Sequence, residues 1–169
     1  MTATPTLTAP GIVLRPLVLA DAPALFVALG DPQVQLYRRA PAHTSLAETE
    51  AYIADTLAKS RCGWAITADG GEALGRLALR IPEHDSGEFG IVIRAAAQGR
   101  GLGLKAITLA EAFAFTELGL RVLRANIDTD NTASKALFAR AGFQTAARLV
   151  ADRTTNLGVR DSVLMEKRR

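Results

Sequence analysis

Three glycines within five positions, placed between two apolar segments, constrain this chain more than any other feature. The segment Gln98–Gly103 reads Gln-Gly-Arg-Gly-Leu-Gly; it follows an apolar run at 91–93 and precedes a long apolar segment at 104–118. Glycine reaches left-handed backbone conformations and lets a ligand approach closely, and the first turn of a helix offers unpaired N–H groups and a partial positive charge. The pattern therefore predicts a loop at a helix start that binds a phosphate or pyrophosphate.

Two familiar nucleotide-binding loops fit this segment less well. A P-loop requires a lysine and a hydroxyl residue directly after its last glycine, and no such sequence occurs here. Gly101–Ala106 does match the Gly-x-Gly-x-x-Ala pattern of dinucleotide-binding folds, with Asp128 downstream as a ribose partner. In those folds, however, the glycines follow their strand at once within a βαβ unit. Here seven residues separate Ile93 from Gly101 and an antiparallel hairpin precedes them, so the sequence disfavours a dinucleotide.

Hydrophobic periodicity predicts strands and helices in the order βααβββαβαββ. Asp21 and the pair Ser45 and Glu48 are typical of helix starts, and Gly142 is typical of a helix end. The predicted strands cover 12–16, 64–67, 74–81, 89–94, 122–127, 145–150 and 162–165, and the predicted helices cover 21–29, 45–61, 104–118 and 132–141. This order indicates a mixed α/β chain without repeats or a long linker.

Length and composition favour one globular domain. The chain has 169 residues, of which 49% are hydrophobic and 22% charged. We expect one domain over residues 1–169, with a core at about 12–167. The single cysteine, Cys62, cannot form an intramolecular disulfide. Together with the lack of a secretion signal or a long uncharged apolar run, this predicts a cytoplasmic protein that does not contact a membrane.

The charge balance is mildly basic, with a net charge of +3. A basic cluster lies at Lys167–Arg169, but the other cations are scattered among 17 acidic residues and aromatic residues make up 5% of the chain. A nucleic-acid surface would combine a basic stripe with aromatic side chains. We therefore expect a solvated basic end and no direct nucleic-acid partner.

Further motifs on either side of the glycine loop carry a resemblance to a known family. Ile91-x-Ile93 precedes the loop, and Asn131-x-x-Ser134 and Leu137-Phe138-x-x-x-Gly142-Phe143 follow it. In this order the motifs resemble the GNAT superfamily of acyl-CoA N-acyltransferases, whose Gln/Arg-x-x-Gly-x-Gly/Ala motif is matched in full by Gln98–Gly103. The resemblance covers residues 12 to 167, approximately.

Within that superfamily one branch looks most similar. Val13–Leu17 leading to Asp21-Ala22, together with Gly87–Ile91 and Asn131–Ser134, is similar to the Rim-type (RimJ/RimL-like) acetyltransferases, which act on the N-terminal alanine of ribosomal proteins. The resemblance implies an α/β (α+β) GNAT-type fold: a central, twisted, mixed but mostly antiparallel sheet of six to seven strands, flanked by about four helices. It is also compatible with a homodimer.

The reaction that the resemblance implies is transfer of an acetyl group from acetyl-CoA to a primary amine, by direct attack of the amine on the thioester and without a metal. The amine would be the α-amine of a protein or peptide N-terminus. The alternatives are a small amine, such as an amino acid, a polyamine or an antibiotic, and a non-catalytic module that binds acyl-CoA.

The same resemblance assigns residues to coenzyme A. The loop would hold the pyrophosphate through backbone N–H groups, and the backbone of Ile91 and Ile93 would bond the pantetheine arm. Arg100 either adds a cation or is solvated, and Asn131 and Ser134 would serve the cofactor, cap a helix, or do both. The complete set is Ile91, Ile93, Gln98, Gly99, Arg100, Gly101, Leu102, Gly103, Asn131, Ser134 and Phe138.

Glu88 and Ser134 are the leading candidates for proton transfer. Glu88 is the leading candidate for the base because it starts the apolar strand beside the cofactor; it is otherwise a structural carboxylate or acts through water, and His84 or Asp85 could also act through water. Phe138 stands where many family members have a tyrosine, and it cannot donate a proton. The role of the acid then passes to Ser134 or to water, or the thiolate leaves unaided.

The acceptor would enter opposite the cofactor in a fold of this type. It would pass the segment 37–44 between the first two helices and the segment 151–161 between the last two strands. These segments carry a mixture of cations and acids, which suits a peptide N-terminus as well as a small amine. The mixed residues are Arg38, Arg39, His43, Asp152, Arg153, Arg160 and Asp161.

Overall fold

A twisted β-sheet organises the computed structural model, which describes residues 3–169. Within that range there are eight strands: β1 Leu7–Ala9, β2 Ile12–Pro16, β3 Cys62–Thr67, β4 Gly75–Glu83, β5 Ser86–Ile93, β6 Val122–Asp128, β7 Gln144–Thr155 and β8 Gly158–Arg168. Their order in the sheet is β1-β2-β3-β4-β5-β6-β8-β7. Among these described strands, only β5 and β6 pair in parallel, which confirms the mixed, mostly antiparallel sheet.

The sheet has one strand more than the six to seven expected. The additional strand is β1, Leu7–Ala9, which pairs antiparallel with β2 at the edge of the sheet. It has only three residues, and alternation over three positions is too short to be read from a sequence.

Four α-helices in residues 3–169 flank the sheet: α1 Ala22–Leu29, α2 Leu46–Lys59, α3 Leu102–Thr116 and α4 Thr132–Arg140. The Ser45 hydroxyl accepts a hydrogen bond from the Glu48 amide at 3.3 Å and so caps α2, as predicted. None of the helices in this range is both long and apolar enough to cross a membrane.

Asp21 does not cap α1 with its side chain, so that prediction is wrong. Its carboxylate accepts a hydrogen bond from the Arg15 guanidinium at 2.6 Å and another from the Val18 amide at 3.0 Å. A charge-assisted bond to a guanidinium is stronger than a bond to a neutral amide. The arginine at the end of β2 therefore holds the carboxylate away from the helix start.

The core lies on both faces of the sheet. On one face, side chains such as Trp64 and Leu77 pack with Ile107 of α3. On the other face, Ala65 and Val92 pack with residues of α1 and α2. Successive residues of a strand point to opposite faces, so β3 and β5 contribute to both sides.

The last two strands are longer than predicted. The segment expected to be a loop at 151–161 instead continues both strands, and the chain turns at 156–157. The register shifts between Leu149 and Arg153, and Ala151 has a positive φ of 48°. Such a bulge interrupts the alternation of side chains, which explains why the sequence pattern there was typical of a loop.

The tip of this hairpin contacts the segment that follows α1. The Asn156 side-chain amide donates hydrogen bonds to the carbonyls of Gln35 and Ala40, both at 2.9 Å. The two segments expected to flank the acceptor are therefore held against each other.

Candidate active site

Strands β5 and β6 separate after a short stretch of pairing and leave a wedge between them. Only Ser86–Glu88 pairs with Val122–Arg124, although β5 continues to Ile93 and β6 to Asp128. Beyond Glu88, the edge of β5 that faces β6 has no strand partner in residues 3–169. Both strands line a cleft of about 350 Å³ at this position.

The glycine loop lies at the start of α3 and opens toward solvent. Gly99 and Gly101 have φ values of 72° and 78°, the left-handed region that favours glycine. A Cβ placed on either glycine would have no atom within 4 Å, so an anionic group has free access to the backbone. The predicted loop at a helix start is therefore present, and a three-residue 3₁₀ turn at Ala95–Ala97 joins it to β5.

Other residues of the loop fix its position beside β5 and α4. The Gln98 side chain donates a hydrogen bond to the Ile93 carbonyl at 2.9 Å. A Cβ on Gly103 would lie 3.1 Å from the Leu137 side chain and 3.4 Å from that of Ile93. This third glycine thus allows α3 to pack closely on its neighbours, a different role from that of Gly99 and Gly101.

The start of α4 forms a second wall of the cleft. Asn131 caps this helix, because its side-chain oxygen accepts a hydrogen bond from the Ser134 amide at 3.1 Å. The Ser134 hydroxyl makes no hydrogen bond to any residue in 3–169, and Ser134 lines the cleft. Phe138 lies beside it, 2% exposed, with its ring 5.1 Å from that of Phe143 in an edge-to-face contact. This wall therefore offers a serine hydroxyl to the cleft.

Glu88 lies in the third position of β5 and lines the same cleft. It is half-buried, and its carboxylate accepts no hydrogen bond from the described part of the chain. By contrast, His84 and Asp85 form the exposed turn between β4 and β5 and do not line the cleft. The structure therefore brings Glu88 and Ser134 to one cavity and leaves the two alternative residues outside it.

Arg76 and Arg80 line the cleft and were not recognised as site residues from the sequence, whereas Arg38 was expected in a segment beside the acceptor. Arg76 on β4 is 5% exposed; its guanidinium donates hydrogen bonds to the Gly90 carbonyl at 3.1 Å and to the Tyr52 hydroxyl. Arg38 donates to the same hydroxyl at 2.7 Å. Burial lowers the pKa of Arg76 well below its ordinary value, and the charges of Arg38 and Arg80 lower it further. Cations are thus crowded together at this end of the cleft.

The alternation of β4 was the signal that could have revealed this feature. Arg76 and Arg80 share one face of the strand, and Leu77 and Leu79 occupy the other face and belong to the core. Arginines on one face of a strand are usually solvated. Here Tyr52 of α2 and the segment after α1 cover that face, which the sequence pattern does not show.

The acids near the cleft are mostly engaged with other partners. The Asp128 carboxylate bonds Arg160 at 3.1 Å, and Asp152 accepts hydrogen bonds from Ser162 at 2.6 Å and from the Asn126 side chain at 2.9 Å. Asp161 pairs with Arg148 at 2.9 Å. The acids predicted for the acceptor segments are therefore bonded to side chains of β6, β7 and β8. Several of the predicted arginines line the cleft instead.

Comparison with known proteins gives both a family and a fold. The family model described as an acetyltransferase (GNAT) domain matches residues 12–144. A search of curated proteins found no match to this sequence. A probable GNAT-family acetyltransferase from Chromobacterium violaceum ATCC 12472 is 25% identical, with a TM-score of 0.89 over 99% of this chain and 88% of that one.

Two further solved structures, each under 25% identical, share the fold. The spermidine N-acetyltransferase from Vibrio cholerae, solved with CoA and spermine, is 21% identical, with a TM-score of 0.81 over 95% of this chain and 96% of that one. Mycobacterium smegmatis RimJ, solved with CoA-disulfide, is 22% identical, with a TM-score of 0.85 over 97% of this chain and 86% of that one.

Proposed function

We propose that this chain, which belongs to the GNAT acetyltransferase family, transfers an acetyl group from acetyl-CoA to a primary amine in the cleft between β5 and β6. Family membership implies acetyl transfer that depends on acyl-CoA. The observation that carries the proposal is the position of the wedge. It places an unpaired strand edge beside a helix start with two open, left-handed glycines.

Coenzyme A fits the residues on this side of the cleft. The open space at Gly99 and Gly101 admits a pyrophosphate to the amides at the start of α3. The free edge of β5 at Ile91 offers peptide groups to the amide-rich pantetheine arm, because it has no strand partner in the described chain. Arg100 is exposed beside the loop and would add a positive charge.

In the proposed reaction the amine nitrogen attacks the thioester carbonyl carbon, a C–N bond forms and the C–S bond breaks. A backbone N–H on the open edge of β5 would stabilise the negative charge on the carbonyl oxygen. The amine must lose a proton, and Glu88 is proposed to accept it, directly or through water. Ser134 is proposed to donate a proton to the departing sulfur. The support for both roles is that each side chain faces the cleft without a hydrogen-bond partner in residues 3–169.

The acceptor that we propose first is the α-amine of a peptide or protein N-terminus, in keeping with the Rim-like motifs. A small amine is the second candidate. It is favoured by the size of the cleft, about 350 Å³, since cavities of this size enclose small molecules.

The test is release of free thiol from acetyl-CoA with a panel of amines and N-terminal peptides. We expect release that depends on the amine, and a lower turnover at saturating acetyl-CoA for Glu88→Gln and for Ser134→Ala. Glu50→Gln is the matched control, because Glu50 is exposed on α2 and does not line the cleft. Wild-type turnover in Glu88→Gln would remove Glu88 as the base. If the protein binds acetyl-CoA but no amine of the panel causes release of free thiol, the protein is a non-catalytic binding module.

A further inference from the structure

We propose that the acceptor amine also carries a carboxylate, which is bound by Arg38, Arg76 and Arg80. These three residues are called the arginine cluster below. The inference rests on the proposed function, because it assumes that the amine enters this cleft. It narrows the substrate class to an amine with an acidic group close to the reacting nitrogen: a free acidic amino acid, or a peptide whose first residue is acidic.

Arg76 is the strongest sign of a ligand. Its side chain is almost completely buried, yet its Nε–H has no hydrogen-bond partner in the described chain. A buried donor without an acceptor costs stability. In a guanidinium, Nε and one terminal nitrogen form a fork that matches the two oxygens of a carboxylate. Because Arg76 lines the cleft, a ligand carboxylate bound there would lie beside its guanidinium.

Arg38 and Arg76 approach each other at Tyr52. Both guanidiniums donate to the Tyr52 hydroxyl, and their central carbons lie 5.7 and 5.2 Å from the centre of the Tyr52 ring. Burial lowers the pKa of Arg38, and the charge of Arg80 lowers it further. Like charges held this closely repel each other. A bound anion would convert that repulsion into attraction.

No ion pair within residues 3–169 neutralises this cluster, although Glu88 lies directly opposite Arg80 in the β4–β5 pair. Arg38, Arg76 and Arg80 make no ion pair within residues 3–169. The cleft lining contains five arginines but two carboxylates, Glu88 and Asp128, and the latter is bonded to Arg160. An excess of arginines in the cleft, of which Arg76 is buried, favours an anionic acceptor and opposes a polyamine.

The cluster is separate from the groups that would hold the phosphates of coenzyme A. Val92, which is directly opposite Arg76 in the β4–β5 pair, packs with α1 and α2. Leu77, the next residue on β4, packs on the α3 face. Directly opposite residues share a face and successive residues alternate, so Arg76 lies on the α1 and α2 face. The glycine loop begins α3 on the other face.

The experiment compares matched pairs of amines in the thiol-release assay. The pairs are L-aspartate with its diamide, which has no carboxylate, and the tripeptide amides Asp-Ala-Ala and Asn-Ala-Ala, with spermidine as the cationic amine. Each is measured with the wild type, with Arg76→Met, and with Arg121→Met as the control. Arg121 is an exposed arginine that does not line the cleft.

In the wild type and in Arg121→Met, we expect kcat/KM for at least one acidic member to exceed that of its amide by about tenfold or more. In Arg76→Met that ratio falls toward one through a rise in the KM of the acidic amine, while the KM of acetyl-CoA is unchanged. The free amino acid and the peptide distinguish the two sources of the carboxylate. Equal rates for the acid and its amide, or a preference for spermidine, would overturn the inference. So would a rise in the KM of acetyl-CoA in Arg76→Met as large as the rise in the KM of the acidic amine.

A binding measurement separates this inference from the proposed function. L-aspartate is titrated calorimetrically into the wild type, Arg76→Met and Arg121→Met. Binding to the wild type and to the control that is lost in Arg76→Met supports the anion site, even if no amine releases thiol and the proposed acetyl transfer fails. If amines release thiol but neither L-aspartate nor Asp-Ala-Ala amide binds, acetyl transfer stands and the carboxylate site is refuted.

Discussion

Replacing Arg76 by methionine is expected to stabilise the protein in the absence of ligand. Arg76 is 5% exposed, and its Nε–H has no acceptor in the described chain. Methionine follows the path of the arginine side chain as far as Nε and carries no charge, and its flexible thioether adapts to the surrounding side chains. The substitution therefore removes an unpaired buried donor and the repulsion from Arg38 and Arg80.

The magnitude follows from the bonds that Arg76 makes. Removing an unsatisfied buried donor is worth about 1–3 kcal/mol, and replacing an uncompensated buried charge by an apolar side chain is neutral or stabilising. The losses are small, because the Gly90 carbonyl lies at an exposed residue that water can reach and Tyr52 keeps its bond to Arg38. We expect a net gain of about 1–2 kcal/mol, which raises Tm by roughly 2–8 °C in a chain of this size.

The assay is urea unfolding in a buffer without carboxylate, phosphate or sulfate ions, with Arg121→Met as the control expected to match the wild type. Added L-aspartate should stabilise the wild type but not Arg76→Met, since a ligand stabilises only a protein that binds it. If ligand-free Arg76→Met loses more than about 1 kcal/mol of unfolding free energy, the predicted stabilisation is wrong, because Arg76 then stabilises the fold by itself.

Two further substitutions test the cofactor side and the acceptor segment. Gly101→Ala and Gly119→Ala should each lower the free energy of unfolding by about 1 kcal/mol, because both glycines have a positive φ and open surroundings. Only Gly101→Ala should weaken coenzyme A binding in calorimetry. Equal binding by both variants would argue against the glycine loop as the pyrophosphate site. The pKa of His43 lies below its ordinary value of 6.5, mainly because the side chain is partly buried. The nearby Glu48 raises this pKa by less, and the charge of Arg38 lowers it further. As the pH falls, His43 therefore binds a proton in the unfolded state before it does so in the folded state. The free energy of unfolding should decrease as the pH drops below about 6.5. Urea unfolding between pH 7.5 and 5, approximately, should show a smaller decrease in His43→Gln; the same decrease in both proteins would exclude His43 as its source.

The parts of the fold that could be predicted from the sequence depend on local signals. The left-handed glycines at 99 and 101, the cap at Ser45 and the helix end at Gly142 each follow from the conformations that one residue type permits. These signals place the helix of the glycine loop directly after the strand that carries Glu88. Whether that loop binds coenzyme A stays a prediction.

The features that could not be predicted depend on which segments meet in space. The separation of β5 from β6 is set by strand pairing, to which distant parts of the chain contribute. Arg76 looks like a solvent-facing strand residue until Tyr52, 24 positions earlier, is brought over it. Asp21 looks like a helix cap because the competing arginine at position 15 belongs to a different element. In each case a contact between separate elements overrides the local pattern.

The cleft between β5 and β6 is proposed to join an acetyl group to an amine. The most direct measurement is mass spectrometry of the amine after incubation with the protein and acetyl-CoA, with free thiol counted in the same reaction. One acetylated amine is expected for each coenzyme A released, with the acidic amine modified before its amide counterpart. Thiol release at the same rate without an amine, or release that yields no acetylated amine, would show that the cleft does not acetylate amines.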